Sequence, residues 1–339
     1  MSGVVFDVIE GGLLTTIQDA GRPDWQHLGV PESGAADPWS RAVANLLIGN
    51  DPGDAVLEMT VVGPTLRATT ATTIGLGGAD LGGRIRDGHR LRPDRSHRLA
   101  AGDIIEIPGS RSAAGGIRAY LAIEGGVDVP VVLGSRSTCL AGGFGGLDGR
   151  PIQTGDRIVS RGHRAGARRP TSARPSELVW PVPDVPPGGS HAEPVGVLRF
   201  LAGPGAGAAD VAAAAWVVGR AADRVGIRLD GPSLPAGVAG ETTSHGVPWG
   251  AIQLPPDGRP IVLGADHQTT GGYRVCGVVI SADLAVLGQL GPGSAVRLME
   301  VDRATALAAL REQRERLVAG AAAVRDAAGW DALLAGAGG

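Results

Sequence analysis

Short apolar runs divided by turn residues set the pattern of this chain. They fall at residues 4–9, 104–107, 119–123, 129–133, 198–201, 251–254, 261–263, 275–280 and 296–299, and are rich in Val, Ile and Leu. Runs of this length between Gly, Pro, Asp and Ser read as strands. Three segments share one grammar, a glycine turn feeding a strand: Ala101-Gly102-Asp103-Ile104, Thr154-Gly155-Asp156-Arg157 and Pro292-Gly293-Ser294-Ala295. Asp257-Gly258, between two apolar runs, predicts a hairpin turn. Regular short strands with such turns favour a sandwich or barrel over a βαβ sheet. The expected fold class is mainly β, with a few short helices and a C-terminal helix.

Helical spacing is confined to three stretches. Residues 38–48 have Asp37 to cap the first turn, Pro38 at the first helical position and Gly49-Asn50 as a stop. Residues 210–219 are Ala-rich and predict a second helix. From 302 to about 318, Leu307, Leu310 and Leu317 recur at helical spacing, and Arg314 interrupts the stripe. That predicts one helix packed on the body, not a zipper. Residues 161–196, rich in Arg, Pro, Ser and Gly, predict a linker or long excursion. The expected division is a β-rich domain over 1–160, the linker over 161–196, a second β-rich domain over 197–300, and a helix and tail over 301–339, with the choice between sandwich and barrel left open by the pattern alone.

Composition narrows the function classes. All 31 basic side chains among the 339 residues are Arg, set against 34 acidic ones for a net charge of −3. Without Lys there is no Walker A loop, Schiff-base lysine, Ser–Lys pair or biotin attachment point. Near-neutral charge and scattered Arg argue against nucleic acid. The His residues show no zincin spacing and the two cysteines, Cys139 and Cys276, lie far apart, so neither a metal site nor a disulfide framework is expected. No apolar stretch approaches a bilayer span, and a soluble cytoplasmic protein is expected. The Gly-rich run at 75–82 lacks the following helix that a dinucleotide site needs.

Four segments hold polar groups too densely for ordinary loops. The first runs from Thr15 through Gln18, Asp19, Gly21 and Arg22 to Asp37; the second holds Asn45 and Glu58 among apolar neighbours. The third is Gly134-Ser135-Arg136-Ser137-Thr138 and the Gly-rich stretch to Arg150. The fourth contains Gln253, then Asp266-His267-Gln268-Thr269-Thr270-Gly271-Gly272-Tyr273. Arg22 and Arg136 are candidate clamps for carboxylate or phosphate, with Arg22 expected to face solvent. Asp19 and Asp266 are candidate acid/base groups. Candidate binding residues are Gln18, Asp37, Asn45, Glu58, Thr138, Gln253, Gln268, Thr269, Gly271, Gly272 and Tyr273, the glycine pair for its freedom to take positive φ. Bland readings stand beside these: Asp19 and Arg22 can pair in a turn, and Asn45 can be a satisfied buried amide. The first and last segments are expected to meet at one cleft.

These segments, in this order, resemble the family of 5-oxoprolinase C subunits, also described as KipA-like, allophanate hydrolase subunit 2 or carboxyltransferase subdomain A/B proteins. Arg118-Ala119-Tyr120-Leu121-Ala122, Gly125-Gly126, Ala282-Asp283-Leu284 and Gln289 match as well. Cys139, His267 and Arg274 depart from the family's usual residues. The resemblance implies cyclophilin-like β-barrel domains. It also implies a complex with a KipI-like B subunit and with an A subunit, in which ATP is used to open the lactam 5-oxoproline. A carboxyltransferase of the urea carboxylase type and a non-catalytic regulator of a KipI-like inhibitor are the alternatives. Either chemistry acts on a small planar amide, which needs donors to its carbonyl and acceptors for its N–H.

Overall fold

The computed structural model describes residues 3–109, 116–162, 196–203, 205–235 and 237–336. The expected linker at 161–196 lies, but for its ends, outside the described residues. The first half of the chain supplies strands β1 (Gly3–Glu10), β2 (Leu14–Gln18), β3 (Val56–Thr60), β4 (Thr65–Ala68) and β5 (Thr72–Gly78). It continues with β6 (Arg84–Ile85), β7 (Arg95–Leu99), β8 (Ile104–Glu106), β9 (Arg118–Ile123) and β10 (Arg157–Ser160). Helix α1 (Pro38–Leu46) lies between β2 and β3. The second half supplies β11 (Gly196–Ala202), β12 (Ala215–Ala222), β13 (Gly226–Asp230) and β14 (Glu241–Gly246). It ends with β15 (Ala251–Leu254), β16 (Ile261–Leu263), β17 (Thr270–Val279) and β18 (Ala295–Glu300). Helices α2 (Ala208–Ala213), α3 (Leu284–Gln289) and α4 (Arg303–Gly336) complete the body.

The first-half strands form two five-stranded antiparallel sheets, ordered β10-β1-β4-β8-β6 and β2-β3-β9-β5-β7. Phe6, Val8, Leu66 and Ile105 from one meet Ile17, Leu57, Ile74 and Leu121 from the other in one core. Among the described residues no ladder joins the two sheets, so the barrel expected over 1–160 is instead a pair of sheets over a shared core. Strand β9 shows the logic. All six of its residues are buried, Leu121 and Ile123 toward that core and Tyr120 and Ala122 toward α1. A strand covered on both faces has no polar face to show.

The second half closes. Strands β11-β18-β12-β13-β16-β15-β17 follow one another and β11 pairs back to β17, making a seven-stranded barrel, with β14 attached outside on β17. Phe200, Trp216, Leu229, Ile252 and Leu298 fill it. Asp257-Gly258 turns β15 into β16 as expected, with Gly258 at φ 71°.

Three local expectations change. Residues 129–133 form no strand: Pro130 has no N–H to give, Leu133 turns at φ 52°, and an isolated Val132–Ser135 bridge is what remains. The helix expected at 210–219 stops at Ala213, and Trp216 and Val218 become inward residues of β12. Burying Trp and β-branched Val in a ladder outweighs the helix propensity of alanine. The C-terminal helix runs to Gly336 rather than 318, because Leu317, Ala321 and Val324 continue its seam against α1 and its surroundings. Gln313 sits in that seam and donates to the Ala282 carbonyl at 3.0 Å.

Helix α1 lies so close to β5 that a Cβ on Gly75 would sit 2.0 Å from the Ala44 carbonyl oxygen, and one on Gly77 2.4 Å from that of Ser40. The Gly-rich run is a helix–sheet contact. Gly75→Ala is expected to cost about 1–3 kcal/mol or prevent folding, as overpacking does. Gly3→Ala, whose added Cβ meets no atom within 4 Å, should leave a urea melt unchanged.

Candidate functional site

The chain leaves β2 through a turn built on Asp19. Its carboxylate accepts from the hydroxyls of Ser135 and Ser137, both at 2.6 Å, from Gly21 N–H at 2.8 Å and from Arg136 N–H at 2.5 Å. The Asp19 N–H donates to Ser137 Oγ at 2.9 Å. Three of these donors share Oδ1, and Arg136 N–H alone takes Oδ2. Asp19, expected to be an acid or base, anchors the 135–138 segment to the end of β2. Thr138 Oγ1 donates to the Ile17 carbonyl at 3.1 Å, and the Gln18 amide donates to Thr16 Oγ1 at 3.0 Å and the Thr138 carbonyl at 3.2 Å. Arg136 is half-buried and its Nε donates to the Val129 carbonyl at 3.1 Å. Gln18, Asp19, Arg136 and Thr138 are thus brought together.

A residue the sequence did not single out joins the halves. Arg224, buried between β12 and β13, forks onto Asp266 through Nε at 2.7 Å and Nη2 at 3.0 Å. Its Nη1 donates to Glu58 at 2.5 Å and Nη2 also donates to the Gly34 carbonyl at 2.7 Å. Burial alone would lower the Arg224 pKa, but the charges of Glu58 and Asp266 outweigh it and raise it. Asp266, the second expected acid/base group, is therefore one side of a forked buried ion pair. Nothing local in the sequence separated Arg224 from the other arginines.

Glu58 continues the network, accepting from Ala36 N–H at 2.8 Å and Tyr120 OH at 2.9 Å. Tyr120 OH in turn accepts from Asp37 N–H at 2.8 Å. Asp37 caps α1, accepting from Ser40 N–H at 2.9 Å and Ser40 Oγ at 2.6 Å, and takes a further bond from Gln289 Nε2 of α3 at 2.7 Å. Burial pushes the Asp37 carboxyl pKa up, against those hydrogen bonds. Arg118 donates to the Gly288 carbonyl beside α3. Ala36, Arg118, Arg224, Trp249, Ala265 and Gly288 line a crevice along this seam with room for about a water molecule. Asn45 stands apart at the far end of α1, a satisfied buried amide bonded to the Asp54 carbonyl and Asn50.

The fourth segment divides. Ser33 N–H donates to the Ala265 carbonyl at 3.1 Å, so the first and last segments do meet. Gln268 is exposed, and Thr269 and Tyr273 are half-buried at the start of β17, where it pairs with β14. Gly271 and Gly272 lie in that strand without positive φ. At Gly271 a Cβ would sit 2.4 Å from Nε2 of the buried Gln253, whose amide would have to shift.

Arg22 departs furthest from expectation. Expected to face solvent, it is 0% exposed, with Nη2 on the Ser137 carbonyl and its guanidinium carbon 4.9 Å from the Phe144 ring centroid. Among the described residues its Nε and Nη1 have no hydrogen-bond partner, and the same holds for Ser33 Oγ, Gln18 Oε1, Gln253 Nε2 and His267 Nε2. Burial lowers the Arg22 pKa, partly offset by Cys139, Asp19 and Asp266.

Two face-to-face sheets docked on a closed barrel through a buried Glu–Arg–Asp cluster define a two-part β protein with polar segments gathered at the joint. The chain belongs to the family described as carboxyltransferase domain, subdomain A and B, whose model matches residues 28–300. It is 33% identical to the C subunit of 5-oxoprolinase from Escherichia coli, with 91% of this chain and 94% of that protein covered. It is 30% identical to urea amidolyase of Lachancea kluyveri, covering 87% of this chain and 17% of that protein. The solved urea amidolyase of K. lactis superposes with a TM-score of 0.80 and 27% identity, covering 94% of this chain and 20% of that one. The chain spans 20% of the length of that solved urea amidolyase and 29% of the solved urea carboxylase of Kluyveromyces lactis.

Arg224→Met should cost about 3–5 kcal/mol in a denaturant melt, because it strands two buried carboxylates. Adding Glu58→Gln and Asp266→Asn should recover part of that loss. Asp94, half-buried at φ 55°, has its carboxyl pushed up to about 6 by burial, with the Asp37 charge adding and the Gly78 N–H opposing. A raised carboxyl pKa means that the folded chain holds the proton more tightly than the unfolded chain. Its contribution is most favourable below about pH 4 and is lost as pH rises to about 6. Asp94→Asn should therefore be the more stable at pH 7 by about 1–2 kcal/mol, allowing for partial exposure, with the difference vanishing near pH 4.

Proposed function

We propose that the chain is the C subunit of an ATP-dependent 5-oxoprolinase. With a KipI-like B subunit and the A subunit of the same enzyme, it would convert 5-oxoproline, ATP and water to glutamate, ADP and phosphate. The observation that carries this reading is the near end-to-end correspondence with the E. coli 5-oxoprolinase C subunit, over 94% of that protein. Opening a lactam requires donors to its carbonyl and an acceptor for its N–H. Gln18 Oε1, Gln253 Nε2 and His267 Nε2 are buried polar atoms without partners among the described residues, and are among the groups able to serve. His267 Nδ1 lies 2.6 Å from the Gln268 carbonyl oxygen, an arrangement that puts the proton on Nδ1 and leaves Nε2 an acceptor. Asp19 and Asp266 act as anchors in this reading, each carboxylate being held by structural hydrogen bonds on both oxygens.

ATP is used by the assembled complex, and this chain offers no lysine-bearing phosphate loop. Two free, buried cysteines suit a cytoplasmic setting. A second reading rests on the urea amidolyase match, which covers nearly the whole of this chain. In that system the chain would work beside a biotin carried on another chain or domain, having no lysine for it. The purified chain alone should show no turnover of ATP or 5-oxoproline, and mixing with the A and B subunits should give ADP release that depends on 5-oxoproline. Turnover by the chain alone overturns the need for partners. Activity that requires biotin, bicarbonate and urea favours the second reading, and a silent mixture that still binds the KipI-like partner favours a regulatory role.

A further inference from the structure

Arg22 presents a physical problem that its neighbours do not solve. A guanidinium with no exposed surface, one carbonyl partner and two nitrogens unpartnered among the described residues is a costly thing to bury. Arg224, in the same joint, shows what a settled buried arginine looks like here, with two carboxylates and a carbonyl around it. The backbone of Arg22 ties it to the segment that carries a second buried polar group. Its N–H donates to the Glu32 carbonyl, and the next residue, Ser33, is 2% exposed with a hydroxyl that has no partner among the described residues. The nearby carboxylates Asp19 and Asp266 attract Arg22 through space, but the hydrogen bonds they accept come from Ser135, Ser137, Gly21, Arg136 and Arg224, not from Arg22.

We infer that Arg22, with Ser33, is a binding position for an oxyanion, a carboxylate or phosphate group, closed over by Phe144. The cover is a single aromatic ring on a turn whose backbone is held by the Cys139–Phe144 bridge, so the ring swings on its own side-chain torsions while the turn stays in place. Phe144 stands on the Gly142-Gly143-Phe144-Gly145-Gly146 stretch, is half-buried, and follows an exposed tip at residues 141–143. A Cβ on Gly145 would lie 3.0 Å from Arg22 Nη2, so the loop reaches the guanidinium because that residue has no side chain. An incoming oxyanion would take the unpartnered N–H groups while the ring lifts off the guanidinium face. No covalent step is involved. The inference concerns the oxyanion and does not depend on which ring substrate the complex uses.

Cys139 supplies a reporter under the same cover. It is fully buried, within electrostatic reach of Arg22, and its N–H donates to the Phe144 carbonyl at 2.9 Å. The other cysteine, Cys276, lies in the barrel with its thiol pushed up to about 12 by burial, and should stay silent. The test uses the full chain alone. Thermal melts are taken with inorganic phosphate, 5-oxoproline or chloride at matched ionic strength, and Cys139 is labelled with a thiol reagent under the same conditions.

Phosphate or 5-oxoproline should raise the melting temperature by several degrees over chloride and slow Cys139 labelling at least tenfold. Arg22→Met, close in volume and uncharged, should melt no lower than wild type and respond to neither anion. Ser33→Ala, which keeps the charge, should weaken the response several-fold, and guards against an Arg22→Met chain that fails to fold. A response to phosphate alone assigns the phosphate source, and one to 5-oxoproline alone assigns the carboxylate. No stabilisation of wild type, an equal response in the Arg22→Met and Ser33→Ala chains, or Cys139 labelling that the anions leave unchanged overturns the inference. A Cys139 that never labels overturns it too, since the cover would then not open.

Discussion

Everything else in this molecule is arranged around one buried cation, Arg224. It belongs to the barrel half, yet Glu58, one of its partners, belongs to the central strand layer of the other half. Taking a guanidinium and two carboxylates out of water is unfavourable, and attraction offsets that loss only when geometry satisfies nearly every donor. Here four hydrogen bonds from three nitrogens meet two carboxylates and a carbonyl. An ammonium could not have served: its donors radiate from one point, whereas the guanidinium fork matches a carboxylate edge while its far nitrogen reaches a second. The Arg-only basic composition thus has a structural use at this joint, whatever its origin.

From Glu58 the constraint passes outward through bonds that each fix one element. Glu58 holds Ala36 and Tyr120, Tyr120 holds Asp37, and Asp37 both starts α1 and receives Gln289 from α3. The path leaves the barrel at Arg224 and returns to it at α3, so the two halves are tied twice. Helix α1 is pinned at the joint by this cap and along its length by the missing side chains of Gly75 and Gly77. Such a closed circuit makes relative motion of the halves costly, which is what a site assembled from both would require.

Local grammar was readable where local forces decide. The Asp37 cap, Pro38 at the helix start, the Asp257-Gly258 hairpin and most strands are specified by residues within a few positions of one another. Where distant packing decides, the reading failed: Trp216 and Val218 are strand residues because β13 and β18 lie beside them. The site followed the same rule. Density of polar residues identified the segments and their meeting, but not the roles. Asp19 and Asp266 look like acids in sequence and are anchors in space, because Ser135, Ser137 and Arg224 arrive from far along the chain. Arg224 itself carries no local mark, and its meaning lies entirely in partners 42 and 166 residues away.

Arg22 and Arg224 put one residue type to two opposite uses within a single joint. Both are buried, and both are within reach of Asp266. Arg224 has taken that carboxylate with a two-pronged fork, which leaves Arg22 with a carbonyl and an aromatic face. An aromatic quadrupole attracts a cation, but by much less than a desolvated carboxylate does. A fold selected for stability alone could have placed a methionine at residue 22, filling the same space with no charge to satisfy. An under-satisfied cation beneath an aromatic ring is therefore a cost in the folded chain that an arriving negative group would remove. In physical terms the joint is finished at Arg224 and unfinished at Arg22, and the unfinished end is where a ligand has something to contribute.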